Sequence, residues 1–247
     1  MSSETEELSY YTQRQKIATA CRIMAMEGIV HGTLGHISMR INEELMLIRG
    51  RGKEDSGLFF TTPEEICLFD FSGERAESSR GYSGPVELPL HGETLRSRGD
   101  VNVVIHAHPP AVLAATLANL DLVPCFGSFN IPANQIASEG IPIYPRSILI
   151  STREIAEEML ATMGNHRACI LKGHGITVVG HSIESALLSA LNVNTLAQVA
   201  LEIAKTGSRA TPIPPEDQAL VPQQSKFSPD AGWKFYQAKL RRYGFDA

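Results

Sequence analysis

The chain has 247 residues, of which 43% are hydrophobic and 20% charged, with a formal net charge of −5. That is enough for one large domain or two small ones, in the composition range of ordinary globular proteins. No apolar run approaches the roughly 20 residues that span a bilayer, which speaks against a membrane protein. The acidic balance, with one short basic cluster at Lys239-Leu240-Arg241-Arg242, speaks against a nucleic-acid-binding face.

The opening MSSETEELSYYTQRQK has no apolar core of a signal peptide, so the chain reads as cytoplasmic. Cys21, Cys67, Cys125 and Cys169 are far apart and form no CxxC pair, which fits reduced thiols.

The spacing of Leu8, Ile17, Ala18, Cys21, Ile23 and Met24 predicts a helix from Glu6 to Glu27, stopped by Gly28. A glycine-rich turn, His31-Gly32-Thr33-Leu34-Gly35-His36, follows. Residues 37–41 and 45–48 alternate as a hairpin about Asn42-Glu43-Glu44. Short strands are predicted at 59–61 and 66–69, and a Gly/Ser-rich loop over 71–84. A helix over 91–98 precedes the dense apolar run Val101–Ala107, which reads as a buried strand ended by Pro109-Pro110. Beyond it come a helix over 111–120, a short strand at Ile143, a helix over 153–163, and strands at 169–171 and 176–179. Ser182 caps a long helix through Lys205, stopped by Gly207. Residues 210–222 read as a proline-rich extended tail and 232–242 as a last helix. With helices and strands interleaved and no repeat, the chain reads as one α/β domain, 1–247, with a C-terminal tail from about 208.

Three short motifs carry chemistry. In Ile105-His106-Ala107-His108-Pro109, two histidines two apart on a strand face the same side. They read as two ligands of a metal ion or as two surface histidines at a sheet edge. His174 lies between Gly173 and Gly175 in a tight turn between apolar strands, either a turn residue or a third nitrogen ligand. Three protein ligands with an open position suit a catalytic metal better than a structural one. Glu87, among apolar neighbours before a helix, reads as a fourth ligand, a general acid/base, or a partner of the helix dipole. Arg146, in Tyr144-Pro145-Arg146, is either a carboxylate anchor or a surface residue, and one of His31 and His36 is a candidate to reach the site.

Taken together, the order E-x-x-x-H (Glu87 to His91), HxH and GHG before a long helix resembles the class II aldolase/adducin family over about Gln15 to Lys205. The resemblance implies an α/β/α sandwich with a mostly antiparallel central sheet. It implies one divalent metal ion per subunit (Zn, Mn, Fe or Co) on Glu87, His106, His108 and His174, and a homotetramer with active sites at subunit interfaces.

The sugar-phosphate enzymes of that family hold phosphate with a Gly-Asn-x-Ser turn and a Ser-Ser pair before the Glu. Here those positions read Gly35-His36-Ile37-Ser38 and Pro85-Val86, although Thr61-Thr62-Pro63 keeps part of a Thr-Pro turn. Proline has no N–H to donate, and valine has no side-chain donor. The metal end is kept and the phosphate end is not.

That pattern, with Phe126-Gly127, Ile131-Pro132 and Tyr144-Pro145-Arg146-Ser147, is similar to a branch of decarboxylases. Its members act on ortho-hydroxylated aromatic dicarboxylates, including 3,4-dihydroxyphthalate and a hydroxymethylpyridine dicarboxylate. The implied partner is a small aromatic carboxylate. The implied reaction is loss of carbon dioxide from the keto tautomer of the ring, with Glu87 as the proton-transfer candidate and His36 and Arg146 orienting a carboxylate. A sugar-phosphate aldolase or epimerase is the alternative enzyme. A noncatalytic adducin-like scaffold would show eroded ligands, yet all four are present.

Overall fold

A computed structural model describes residues 10–77, 81–222 and 228–245. The first helix, α1 (Tyr11–Met26), buries Ile17, Cys21 and Met24, one stripe at i, i+4 and i+7. The start expected at Glu6 lies outside the described residues. The hairpin β1 (His36–Arg40) and β2 (Leu45–Arg49) forms as expected, its turn held by Asn42 Oδ1, which accepts from the N–H groups of Glu44 (2.9 Å) and Leu45 (2.8 Å). In place of the expected strand at 59–61 stands a 3-10 turn, Leu58–Phe60. A reciprocal Thr62/Glu65 cap then starts a second one, Pro63–Glu65. Beyond it β4 (Ile66–Asp70) pairs with β2. The loop expected over 71–84 carries the small pairing of β3 (Arg51–Gly52) with β5 (Tyr82–Ser83).

The helix expected from His91 begins at Leu88: α2 (Leu88–Ser97) accommodates Pro89 in its first turn, where the missing N–H is no loss. After β6 (Val103–Ala107) come α3 (Pro110–Leu117), α4 (Ile131–Glu139), β7 (Ile143–Tyr144), α5 (Arg153–Met163), β8 (Ala168–Leu171), β9 (Gly175–Gly180) and α6 (Ile183–Lys205). Helix α4 had not been anticipated; Asn130 caps it, its side chain accepting from the Ala133 N–H. The expected extended tail carries a short helix, α7 (Pro215–Gln218), and α8 (Pro229–Arg241) packs back on α1 and α6, burying Trp233 and Leu240.

The main sheet has the order β4-β2-β1-β6-β9-β8-β7. It is a mixed sheet, which corrects the expectation of a mostly antiparallel one: β7 and β8 pair in parallel. The reason is local. Helix α5 lies between β7 and β8 in the chain, and a strand–helix–strand crossover returns the second strand in the direction of the first.

Helices cover both faces. Val103, Ile105 and Ala107 of β6 pack in a core with residues of α1, α3, α6 and α8. Val104 packs in a second core with residues of α2 and α5. Alternation along β6 therefore puts His106 on the α2/α5 side. Helix α6 is long and apolar enough by composition to cross a membrane, but 56% of its most apolar window is buried within the protein.

Candidate metal centre

Three backbone devices bring the candidate ligands together. On β6, His106 is fully buried, and its Nδ1–H donates to the Ile176 carbonyl of β9 at 3.0 Å. That bond fixes the tautomer and leaves Nε2 with a lone pair. His108 lies one residue past the strand end, its N–H bonded to the Ile29 carbonyl at 3.1 Å. His174 sits on the turn between β8 and β9, where Gly173 has φ +67°. A Cβ on Gly175 would lie 2.2 Å from the Ala107 carbonyl oxygen, so only glycine lets the turn close onto the end of β6.

Glu87 stands at the N-cap of α2, 4% exposed. Its Oε1 accepts from the Ile150 N–H at 2.9 Å. Its Oε2 lies 3.2 Å from His106 Nε2, and its Oε1 3.6 Å from His174 Nε2. His108 Nε2 is 2.9 Å from His106 Nε2. One ligand atom from each of the four residues falls within a 4.8 Å group.

The donor set fits a divalent cation. A buried carboxylate and the lone pair of a neutral imidazole repel each other unless a proton or a metal ion lies between them. Three imidazole nitrogens and one carboxylate are the ligands that Zn, Mn, Fe and Co take. Burial opposes ionisation of Glu87, yet the neighbouring His106 and His174 and the Ile150 N–H favour its charged form and hold the carboxyl well below the usual range. Burial, then the neighbouring His106 and His174, pushes His108 down to about 3, so its imidazole is neutral at neutral pH, as metal ligation would require.

Of the other sequence candidates, His36 reaches the site and His31 stays exposed. His36 is paired across from His106 in the β1–β6 ladder, and its ring stacks on that of His106, centroids 5.8 Å apart. Arg146 is exposed. Its guanidinium is paired with Glu158 at 2.5 Å, and the Tyr144 hydroxyl donates to the same carboxylate at 2.8 Å.

Two groups near the site had no assigned role. His91, fully buried, contacts Ser38 Oγ through Nδ1 at 2.7 Å and stands edge-on to His36. Arg51 donates to His36 Nε2 at 3.2 Å. The signal for His91 was its place as the last residue of E-x-x-x-H. For Arg51 it was the alternation Arg49-Gly50-Arg51-Gly52.

The model of the class II aldolase and adducin N-terminal domain matches residues 15–201. The chain belongs to the class II aldolase and adducin family. Within that family it is 43% identical over 237 residues to a 3,4-dihydroxyphthalate decarboxylase of Arthrobacter keyseri, covering 94% of this chain and 96% of the relative. It is 27% identical to a 5-deoxy-D-ribulose 1-phosphate aldolase of Bacillus thuringiensis, covering 83% and 91%. In fold it is similar to an aldolase II superfamily protein from Pseudomonas syringae, with a TM-score of 0.80 at 20% identity, covering 96% of this chain and 94% of the other.

Proposed function

We propose that the chain is a divalent-metal-dependent decarboxylase of ortho-hydroxylated aromatic dicarboxylates, with 3,4-dihydroxyphthalate as the first substrate to test. The observation that carries this reading is the convergence of Glu87, His106, His108 and His174, in a chain that is 43% identical to a 3,4-dihydroxyphthalate decarboxylase. The sugar-phosphate aldolase is less similar, and His36, Pro85 and Val86 stand where that class holds phosphate.

Glu87, His106, His108 and His174 are the residues we assign as ligands. A divalent ion held by them would act as a Lewis acid, stabilising negative charge on the oxygen beside the carbon that loses its carboxylate. Glu87, ionised and buried, accepts the ring hydroxyl proton and places it on the carbon that bears the departing carboxylate. The ring is then a β-keto acid. Its carbon–carboxylate bond breaks, carbon dioxide leaves, and the electron pair runs onto the oxygen to restore an aromatic phenolate. His36 forms a wall of the site beside His106.

The assembly we propose is a homotetramer with sites at subunit interfaces. Val86 (70% exposed) and Leu149 (56%) support it, being apolar side chains open to solvent beside Glu87 and its partner Ile150. Light scattering tests this, the expected mass being four times 26.9 kDa. The four cysteines, far apart in the sequence with no CxxC pair, support a cytoplasmic setting.

The deciding experiment is carbon dioxide release from a panel of ortho-hydroxy aromatic and pyridine dicarboxylates, by metal-loaded protein and by the same protein after chelation. Metal-dependent release is expected. No release from any member, with cleavage of a sugar phosphate instead, overturns the reading in favour of an aldolase.

A further inference from the structure

We infer that Arg51 holds the carboxylate that stays on the aromatic ring after decarboxylation, an assignment that rests on the decarboxylase reading above. The first observation is a charge imbalance. Asp55 lies between two arginines, but its oxygens are taken by others. Arg49, fully buried, grips Asp55 with NH2 at 2.5 Å and NH1 at 3.3 Å and also donates from Nε to Thr61 Oγ1 at 2.8 Å. The Gly57 N–H donates to Asp55 as well, at 3.0 Å. Arg51 is left with a contact of 3.6 Å to Asp55. Arg49 is therefore a sealed structural ion pair, and Arg51 carries a positive charge that its neighbours only half answer.

The second observation is direction. Among the described residues, the closest partner of the Arg51 guanidinium is His36 Nε2, at 3.2 Å. A guanidinium can only donate, so His36 accepts at Nε2 and carries its own proton on Nδ1. The His36 ring stacks on that of His106, tilted by 20°. One imidazole thus separates Arg51 from a candidate metal ligand. An aromatic substrate needs a similar spacing, because its hydroxyl must reach the ligand cluster while a carboxylate sits across the ring edge. The charge of Arg51 is felt at both Glu87 and His108.

The third observation is fixation with access. Arg51 is held in β3 opposite Ser83 of β5, in the segment that leads directly into Glu87. Its side chain is 27% exposed, against 0% for Arg49, so it is braced and still reachable. The planar fork pairs with a carboxylate through two parallel N–H bonds. Arg146, the arginine that the sequence suggested for this task, is engaged by Glu158.

Removing the carboxyl group beside the 3-hydroxyl of 3,4-dihydroxyphthalate gives 3,4-dihydroxybenzoate, which keeps the carboxylate assigned to Arg51. Catechol has the same two hydroxyls and no carboxylate. The test is calorimetric binding of these two compounds to metal-loaded protein, comparing the unaltered chain with Arg51→Gln and Arg51→Lys, after metal content confirms that each variant keeps its site.

Arg51→Gln is expected to weaken 3,4-dihydroxybenzoate by about 10- to 100-fold, the range of a lost charged hydrogen bond, and to leave catechol unchanged. Arg51→Lys, with charge but no fork, should fall between. Equal weakening of both compounds would mean that Arg51 only props His36, and would overturn the assignment, as would no change for either. Carbon dioxide release by the unaltered chain reports separately on the reaction. A carboxylate-dependent difference that vanishes in Arg51→Gln supports Arg51 even if no carbon dioxide appears.

Discussion

Glu87 Oε2 and His106 Nε2 face each other across 3.2 Å, and because His106 Nδ1 is already bonded to the Ile176 carbonyl, Nε2 is the nitrogen left to share a proton or a metal ion with the carboxylate. A cation between them turns repulsion into two bonds. Metal binding is therefore expected to stabilise the fold as well as to enable turnover. At a free-metal excess of 100-fold over Kd the gain is about 2.7 kcal/mol, or a rise in Tm of about 5–10 °C for a chain of this size. Thermal scans with and without chelator check it. His106→Ala should lose both the shift and the bound metal.

Glu87→Gln separates ligation from proton transfer. The amide oxygen can still accept from the Ile150 N–H, so the fold and most of the metal should remain. Turnover should drop by about 10²- to 10⁴-fold, the usual loss with a general acid/base. Metal analysis beside carbon dioxide release reads both; a variant that turns over normally removes Glu87 from the chemistry.

Gly175→Ala tests the closure of the β8–β9 turn. The added methyl would lie 2.2 Å from the Ala107 oxygen and 2.8 Å from His108 Cδ2. Backbone cannot step aside as a flexible side chain can, so His174 and His108 should be pushed apart. The expected result is folded protein with weakened metal binding, read by metal titration; undiminished affinity would show that the turn tolerates a side chain.

Acid should destabilise the metal-free protein from about pH 6.5 downward. Burial, then His106, pushes the His91 imidazole down to about 3. Burial, His91 and His106 likewise hold His36 well below its ordinary value. Both folded-state values are depressed, so the unfolded chain binds more protons throughout that window. The stability they support is present above the unfolded value near 6.5 and is lost as pH falls toward 3. The slope should approach about 1.4 kcal/mol per pH unit for each such histidine. Denaturant midpoints between pH 7.5 and 5 measure it, and His91→Gln should flatten the curve.

Ser182→Ala removes the N-cap of α6, whose hydroxyl accepts from the Ser185 N–H at 3.2 Å. The expected loss is about 1 kcal/mol, or about 2–4 °C in Tm, with turnover unchanged. A drop in turnover without one in Tm would tie α6 to the chemistry instead.

What could be read from sequence is what depends on near neighbours. Helix α5 was legible to the residue because its caps, Thr152 and Gly164, flank an amphipathic stretch. The metal end was legible because two ligands lie two apart on one strand and the third sits in a glycine turn. Helix α4 was missed because Pro132 reads as a breaker, although in the first turn it is a starter. The parallel β7–β8 pair was missed because β7 has only two residues. Arg51 and Arg146 look alike as arginines in short polar-apolar contexts; only the partners supplied by distant segments, His36 for one and Glu158 for the other, tell them apart.

The candidate ligands are oriented by main-chain groups: the Ile176 carbonyl for His106, the Ile29 carbonyl for His108, the Ile150 N–H for Glu87. A point substitution cannot delete a peptide carbonyl. The residues we propose for the organic part of a substrate, His36 and Arg51, would act through side chains alone. Such a scaffold divides its heritable freedom unevenly. The backbone groups that aim the ligands lie beyond most single-codon changes, whereas the side chains we place at the substrate's end can be rewritten one residue at a time, so new substrates can be acquired without moving the groups that orient the ligands.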